Sequence, residues 1–351
     1  MFSSLPFGYM FLSVMGIGTL LSISSIHWLS IWAGLEINLI GFLPMLVYQK
    51  STSESQSAVK YFIIQALGSS FLIFGSLMLF NMSFTWDMSM KMYDFNILGS
   101  LVLIGGLCVK LGLFPFHYWL PSVMAGLSWV SCLLLATWQK LAPLFLLICL
   151  LELSQSYMIS LIFCTFSAGS VLIGGFGGMN QTQIRALLAY SSISHLGWMV
   201  FATLHSEWTM KMYLGIYVLI NTSLFLSLWY SDSGNMKDIS NLKNFGFMQL
   251  TIMFLLLSLS GLPPLLGFIS KWLVIVISTA GPWMPVIFLL ILGSLMSLFY
   301  YLSLFFSLFL GGLKKSSLKV PQSNKSLVVF INVLNIMGGI LILIANLLSL
   351  F

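Results

Sequence analysis

Charge is what this chain lacks most: only 6% of its 351 residues are Asp, Glu, Lys or Arg. A soluble domain carries about 25%, so a water-soluble fold is excluded. Acids are scarcer than bases, giving a formal charge of +6. Such a balance can serve nucleic acid or an anionic surface, but the basic residues are scattered through short loops. The exception is the run Lys314, Lys315, Lys319 and Lys325, which reads as a topology signal, and no nucleic-acid partner is expected. Cysteine pairing is missing too. Cys108, Cys132, Cys149 and Cys164 lie in or beside apolar segments without C-x-x-C spacing, so they read as small buried hydrophobes rather than disulfide, zinc or iron–sulfur ligands. G-G-F-G-G at Gly174–Gly178 follows no strand and reads as close helix packing, not a dinucleotide fingerprint. Nothing resembles a nucleotide, flavin, haem or metal site. The start, M-F-S-S-L-P-F-G-Y-M, lacks a basic n-region and an arginine-rich amphipathic stretch, so neither a secretory signal nor a transit peptide is expected.

What is present is apolar sequence, 59% of the chain, with a mean hydropathy of +1.03. Runs of about 18 or more apolar residues recur, each long enough to cross a bilayer as a helix. They lack the period-two alternation of a membrane β-barrel. The predicted fold is therefore an all-α polytopic membrane protein of about eleven transmembrane helices, one domain over 1–351. The spans read as Leu5–Ile26, His27–Tyr48, Val59–Asn81, Asn96–Leu120, Ser122–Leu150, Ser156–Gly178, Ile184–Leu204, Met210–Tyr230, Phe245–Ala280, Pro285–Leu310 and Ser326–Phe351. Two repeat halves, about 5–150 and 156–310, are followed by a last helix at about 326–351.

Loop charges predict orientation. Nine basic residues (Lys50, Lys60, Arg185, Lys237, Lys243, Lys314, Lys315, Lys319, Lys325) fall on the side of the N-terminus, and two, Lys91 and Lys211, on the other. The N-terminus is thus expected in the positive-inside compartment and the C-terminus opposite. Two spans five positions apart are interrupted by Gly and Pro: K-L-G-L-F-P-F-H at Lys110–His117 and G-L-P-P-L-L-G-F-I-S-K at Gly261–Lys271. Broken helices at matching places in two inverted halves point to a transport site, because freed backbone groups there need water or polar partners.

Each break carries a lysine. Lys110, Lys140, Lys271 and Glu36 lie deep in apolar runs, where each charge costs roughly 2.5–3.5 kcal/mol to insert. Intramembrane charges of this kind mark ion or proton paths. The competing reading of the lysines is snorkelling. It fits Lys110 least, since roughly 15 Å separates it from the end of its span. It fits Lys140 best, since Pro143 can end that helix early. Glu36, the only deep acid, is expected beside a buried lysine, Lys110 above all, either as a charge switch or as a fixed pair that pins helices. A lysine approached and then abandoned by a carboxylate takes up and releases a proton, so no cofactor is needed. His195, flanked by hydroxyls in Y-S-S-I-S-H-L-G-W, reads as a hydrogen-bonded core histidine or a proton relay. Lys60 reads as interfacial, His117 sits near a span end, and Glu152, Glu207, Asp232 and Asp238 fall at loops.

Five motifs carry a resemblance. H-W-L-S-I-W-A-G-L-E-I-N from His27, V-K-L-G-L-F-P-F-H-Y-W-L-P from Val109, T-W-Q-K-L-A-P from Thr137, N-Q-T-Q-I-R-A-L-L-A-Y-S-S-I-S-H-L-G-W from Asn180 and L-S-G-L-P-P-L-L-G-F-I-S-K-W from Leu259 stand in order. Together they resemble the chain 2 family of mitochondrial NADH–ubiquinone oxidoreductase, the antiporter-like membrane subunits of respiratory complex I. The resemblance covers Leu5 to about Leu310; the lysine-rich loop and last span match only in character. It implies that Glu36, Lys110, Lys140 and Lys271 are proton-path residues. It further implies the truncated animal form of the antiporter set, an inner-membrane location with the N-terminus in the matrix and the C-terminus in the intermembrane space, and other membrane-arm subunits and phospholipid as partners. NADH, FMN, iron–sulfur clusters and ubiquinone are then expected on other subunits. Two readings compete with a proton-translocating subunit: a stand-alone cation/proton antiporter, and a membrane scaffold whose charges only fix packing.

Overall fold

The computed structural model describes residues 7–48, 51–88, 97–153, 156–231, 246–279, 281–313, 331–333 and 335–340. Lys50, Lys91, Asp232, Lys237, Asp238, Lys243, the run Lys314–Lys325 and most of the expected last helix lie outside the described residues. The chain forms two compact units, Met1–Phe166 and Ser167–Phe351.

The first unit is built from α1 (Gly8–Ser24), α2 (Trp28–Leu46), α3 (Thr52–Ser83), α4 (Ile97–Leu111), α5 (Trp119–Gly126), α6 (Trp129–Ala136), α7 (Trp138–Leu153) and the start of α8 (Tyr157–Met179). Small residues let these helices meet backbone to backbone. A Cβ added at Gly18 of α1 would lie 2.6 Å from the Asn38 nitrogen and 2.8 Å from the Gly34 oxygen of α2. One added at Gly106 of α4 would lie 2.9 Å from the Gly68 oxygen of α3. Without a hydrophobic drive between helices in lipid, such close approach is the main packing term. Gly34→Ala, whose Cβ would sit 2.6 Å from the Ser22 nitrogen, should therefore push α1 off α2. The expected cost is about 1–3 kcal/mol, read as a lower midpoint of heat denaturation in detergent.

Local chemistry starts and joins these helices. Ser51 caps α3, its hydroxyl accepting the Glu54 N–H at 3.2 Å, with Glu54 in the first turn. The α1–α2 turn is clasped to the end of α3: Trp28 N–H donates to Trp86 O at 3.0 Å, Met88 N–H to Ile26 O at 2.9 Å, and His27 Nδ1 meets Asp87 Oδ1 at 2.6 Å.

The second unit continues α8 and adds α9 (Ile184–Thr203), α10 (Glu207–Ser231), α11 (Gly246–Ser260), α12 (Leu266–Ser278) and α13 (Met284–Leu313). Every residue of α9 except Arg185 and Tyr190 is buried, as expected of a central helix apolar all round. The glycine run of α8 packs as its sequence suggests. Added Cβ atoms would meet Ser194 from Gly174 (2.7 Å), the Gly293 oxygen from Gly175 (2.8 Å) and the rings of Tyr190 and Tyr300 from Gly177 and Gly178.

Among the described residues, six helical segments are long and apolar enough to cross a membrane: Trp28–Leu46, Thr52–Asn81, Trp129–Leu153, Tyr157–Met179, Glu207–Tyr230 and Met284–Phe309. Gly8–Ser24, Ile97–Leu111, Met248–Ser260 and Leu266–Ser278 are shorter apolar helices, three of which flank the two breaks. One expected boundary moves. The division placed between Leu120 and Ser122 falls instead at Leu127 and Ser128, which are extended (ψ about 160°). Pro121 does not interrupt α5, because it stands in the first turn, where a backbone N–H has no intrahelical acceptor. Pro143 likewise does not end its helix, which runs on to Leu153.

Candidate functional site

The site begins where two helices stop. Gly112 and Gly261 both take the left-handed conformation, with φ +75° and +84°, which a side chain would strain. Each closes the same terminal motif. Gly112 N–H donates to Val109 O at 3.2 Å and Leu113 N–H to Cys108 O at 3.1 Å. In the second unit Gly261 N–H donates to Ser258 O at 3.0 Å and Leu262 N–H to Leu257 O at 3.3 Å. This double bond satisfies part of the helix-end carbonyls, and a proline three residues on prevents the helix from resuming at once. The expected discontinuities near Gly112–Pro115 and Gly261–Pro264 are both present.

The remaining carbonyls are covered differently. At the first break the neutral donors Trp119 Nε1–H and Gln65 Nε2–H reach Val109 O at 3.1 Å and Lys110 O at 3.3 Å. At the second, the donor is Lys271 itself, whose Nζ bonds Ser260 O at 2.8 Å and Leu259 O at 3.4 Å. A cation at a helix C-terminus is favoured by the dipole as well as by the hydrogen bonds.

Lys110, in the last turn of α4, therefore keeps its ammonium for a side-chain partner. Its Nζ lies 3.7 Å from Glu36 Oε1 of α2, with the lysine side chain 4% exposed and that of Glu36 25%. This is the pairing the sequence predicts. At an effective dielectric of about 20 the attraction is on the order of 4 kcal/mol. The distance exceeds a hydrogen bond, so the two groups can separate without breaking one.

Lys110 also borders a cavity. Asn38, Tyr61, Gln65, Lys110, Gln139 and Lys140 supply its polar lining, and Leu35, Leu39, Trp119, Leu135 and Pro143 are among its apolar walls. Its room for water centres is about 20 Å³, above the roughly 10–15 Å³ that one water needs. Lys140 reaches it from the start of α7, just past an irregularity. There Thr137, at φ −115°, donates its hydroxyl to Leu133 O at 2.7 Å, and Lys140 N–H bonds back only three residues to Thr137 O at 3.3 Å.

Snorkelling fails for all three lysines, since Lys110, Lys140 and Lys271 are buried with 7%, 4% and 8% of their surface exposed. Lys60 and Glu152 are exposed, and Glu207 pairs with Lys211 on the surface. His117 is buried, its Nδ1 3.2 Å from Pro115 O. Glu36, Lys110 and Lys140 come together in the first unit, while Lys271 and His195 belong to the second. His195 Nδ1 is 2.9 Å from the Tyr213 hydroxyl, and its ring centre is 5.3 Å from that of Tyr217. Among the described residues no three His, Cys, Asp or Glu side chains are placed to hold a metal ion. The neutral members of the site, Asn38, Tyr61, Gln65 and Gln139, carry no charge that would single them out in an apolar run. The one available signal was the position of Asn38 and Gln139 beside Glu36 and Lys140.

Relatives place this geometry in context. The family profile described as NADH:quinone oxidoreductase/Mrp antiporter transmembrane matches residues 25–299. The NADH-ubiquinone oxidoreductase chain 2 of Anopheles gambiae is 40% identical over 95% of this chain and 96% of its own length. That of Lumbricus terrestris is 38% identical over 84% of this chain and 85% of its own. Among solved structures, a chain of respiratory complex I from Thermus thermophilus superposes with a TM-score of 0.84 at 27% identity, covering 95% of this chain and 78% of that one. A chain of the Mrp complex of Dietzia shares the fold at a TM-score of 0.76 and 14% identity, over 89% of this chain and 61% of that one. The chain belongs to the NADH:quinone oxidoreductase/Mrp antiporter family of membrane proteins.

Proposed function

We propose that this chain is a membrane subunit of respiratory complex I, moving protons across the mitochondrial inner membrane while other subunits oxidise NADH and reduce ubiquinone. The observation that carries the reading is the row formed by the partly exposed Glu36, the buried Lys110, a cavity and the buried Lys140. Fixed pairs need no cavity beside them; a proton relay does.

The chemistry follows from the pair. With the Glu36 carboxylate near, Lys110 holds its proton, because the ammonium is stabilised against burial. When the carboxylate withdraws or is neutralised, burial favours the free amine, and the proton leaves through the wet side of Lys110 toward Lys140. The electrostatic change that moves Glu36 comes from outside this chain, in the subunits carrying NADH, FMN, iron–sulfur clusters and ubiquinone. Lys271 serves the second unit, its ammonium moored at a helix end from which it can donate, with His195 and the Tyr213 hydroxyl as a candidate relay. The lysine-poor loops face the intermembrane space, with the N-terminus in the matrix and neighbouring antiporter-like subunits and phospholipid around the chain.

Lys140→Met tests the reading. The complex should assemble, because methionine keeps much of the length and the apolar packing. The rate of proton pumping per complex in sealed vesicles should fall at least about a hundredfold, the scale of losing one proton-transfer group. Lys60→Met and Glu207→Gln should change little, as both side chains are already solvated. Unaltered pumping in Lys140→Met would defeat the mechanism, and lost assembly would favour a scaffold. Copurification with NADH-oxidising activity separates the complex subunit from a stand-alone antiporter.

A further inference from the structure

We infer that Asn38 and Gln139 form a positioning clamp that sets Lys140 against Glu36 and Lys110, an assignment that rests on the proton-translocation reading above. The two amides, 101 residues apart in sequence, meet head to tail. Asn38 Nδ2–H donates to Gln139 Oε1 at 2.9 Å, and Gln139 Nε2–H donates to Asn38 Oδ1 at 3.2 Å. The other Gln139 amide hydrogen points to Met15 Sδ of α1 at 3.7 Å.

Position gives the pair its role. Asn38 stands two residues after Glu36 on α2, and Gln139 stands immediately before Lys140 on α7. One helix, α2, thus holds the carboxylate that pairs with Lys110 and the amide that holds the turn carrying Lys140. The segment around Lys140 needs such an anchor. Its backbone ladder is disturbed before it at Thr137 and lacks a donor after it at Pro143, so the backbone alone leaves the direction of Lys140 weakly fixed. The reciprocal amide ring restores that direction, because a side chain that turns away breaks both of its bonds to the other amide.

The pair also lines the cavity. Each carbonyl oxygen keeps a second lone pair and Asn38 keeps one N–H, so the clamp can hold a water between the lysines. Primary amides do not titrate near neutral pH. The clamp therefore orders the path without becoming a stop on it.

The test uses intact complex in sealed vesicles carrying Asn38→Leu, Gln139→Met or the exchange Asn38→Gln with Gln139→Asn, beside Lys140→Met. Protons per NADH and their pH profile are measured against complex content. Each single variant should lose about tenfold in pumping, as when a reacting group is held out of place. The pH profile should shift, and the exchange, which keeps both amides and their summed length, should recover both. Full pumping in both single variants, with Lys140→Met inactive, overturns the clamp and leaves the parent reading standing. Normal pumping in Lys140→Met overturns the parent reading itself. Should Asn38→Leu fail to assemble, the exchange decides: assembled complex pumping no better than Gln139→Met overturns the clamp.

Discussion

Complex carrying Lys110→Met should assemble and move almost no protons. Lys110 is a buried cation with a carboxylate 3.7 Å away, and it also lines a water-sized space. In the proposed mechanism, removing the ammonium removes both the group that Glu36 acts on and the donor to the path beyond. The expected fall in the rate of proton pumping per complex is at least about a hundredfold, the scale of a catalytic acid–base group. Packing should survive. The lysine stem runs over Gly68, whose added Cβ would lie 2.9 Å from Lys110 Cγ, and methionine fills that place with the same unbranched chain. Where electron transfer is tightly coupled to pumping, NADH oxidation should slow alongside. Pumping measured with complex content decides it: an assembled variant that pumps normally sinks the role of Lys110.

Glu36→Gln should be nearly as damaging, for the opposite reason. The amide keeps the shape and loses the charge, so a 4%-exposed ammonium is left without its carboxylate. Breaking a fully buried pair costs about 3–5 kcal/mol. The cost here should be smaller, because Glu36 is one-quarter exposed and Lys110 can shed its proton. Lys110 then has no carboxylate to load and unload it, and pumping stops without loss of the fold. The double variant Glu36→Gln with Lys110→Met separates the two effects. It should recover the heat-denaturation midpoint lost in Glu36→Gln, since no uncompensated charge remains, yet should not recover pumping. A double variant less stable than either single one would show that the pair is not the reason for the loss.

Much of this was legible in the chain. Near absence of charge excluded a soluble fold, and the apolar runs gave helices in a membrane. The two Gly–Pro interruptions located both broken helices, because a left-handed residue followed by proline cannot continue a helix. Glu36 and the three lysines stood out because a charge in an apolar run is costly wherever the fold puts it. Glu36 was the one acid deep in an apolar run, so a lysine was its natural partner. The helix count was less legible, since the broken spans leave short apolar halves that length alone does not classify. The fifth span begins at Trp129 rather than Ser122 and carries an irregularity at Thr137, which composition does not show.

What only the tertiary structure decided is which groups share a space. The sequence could name Lys110 and Lys140 but not the cavity between them. It could not tell that Lys271 is moored to the carbonyls at its own break while Lys110 is free of them. It gave no hint that Asn38 meets Gln139. An isolated charge declares itself locally, because its cost depends on the apolar residues on either side of it. A neutral amide costs little until it is unpaired, so its meaning lies in a partner that folding brings from 101 residues away.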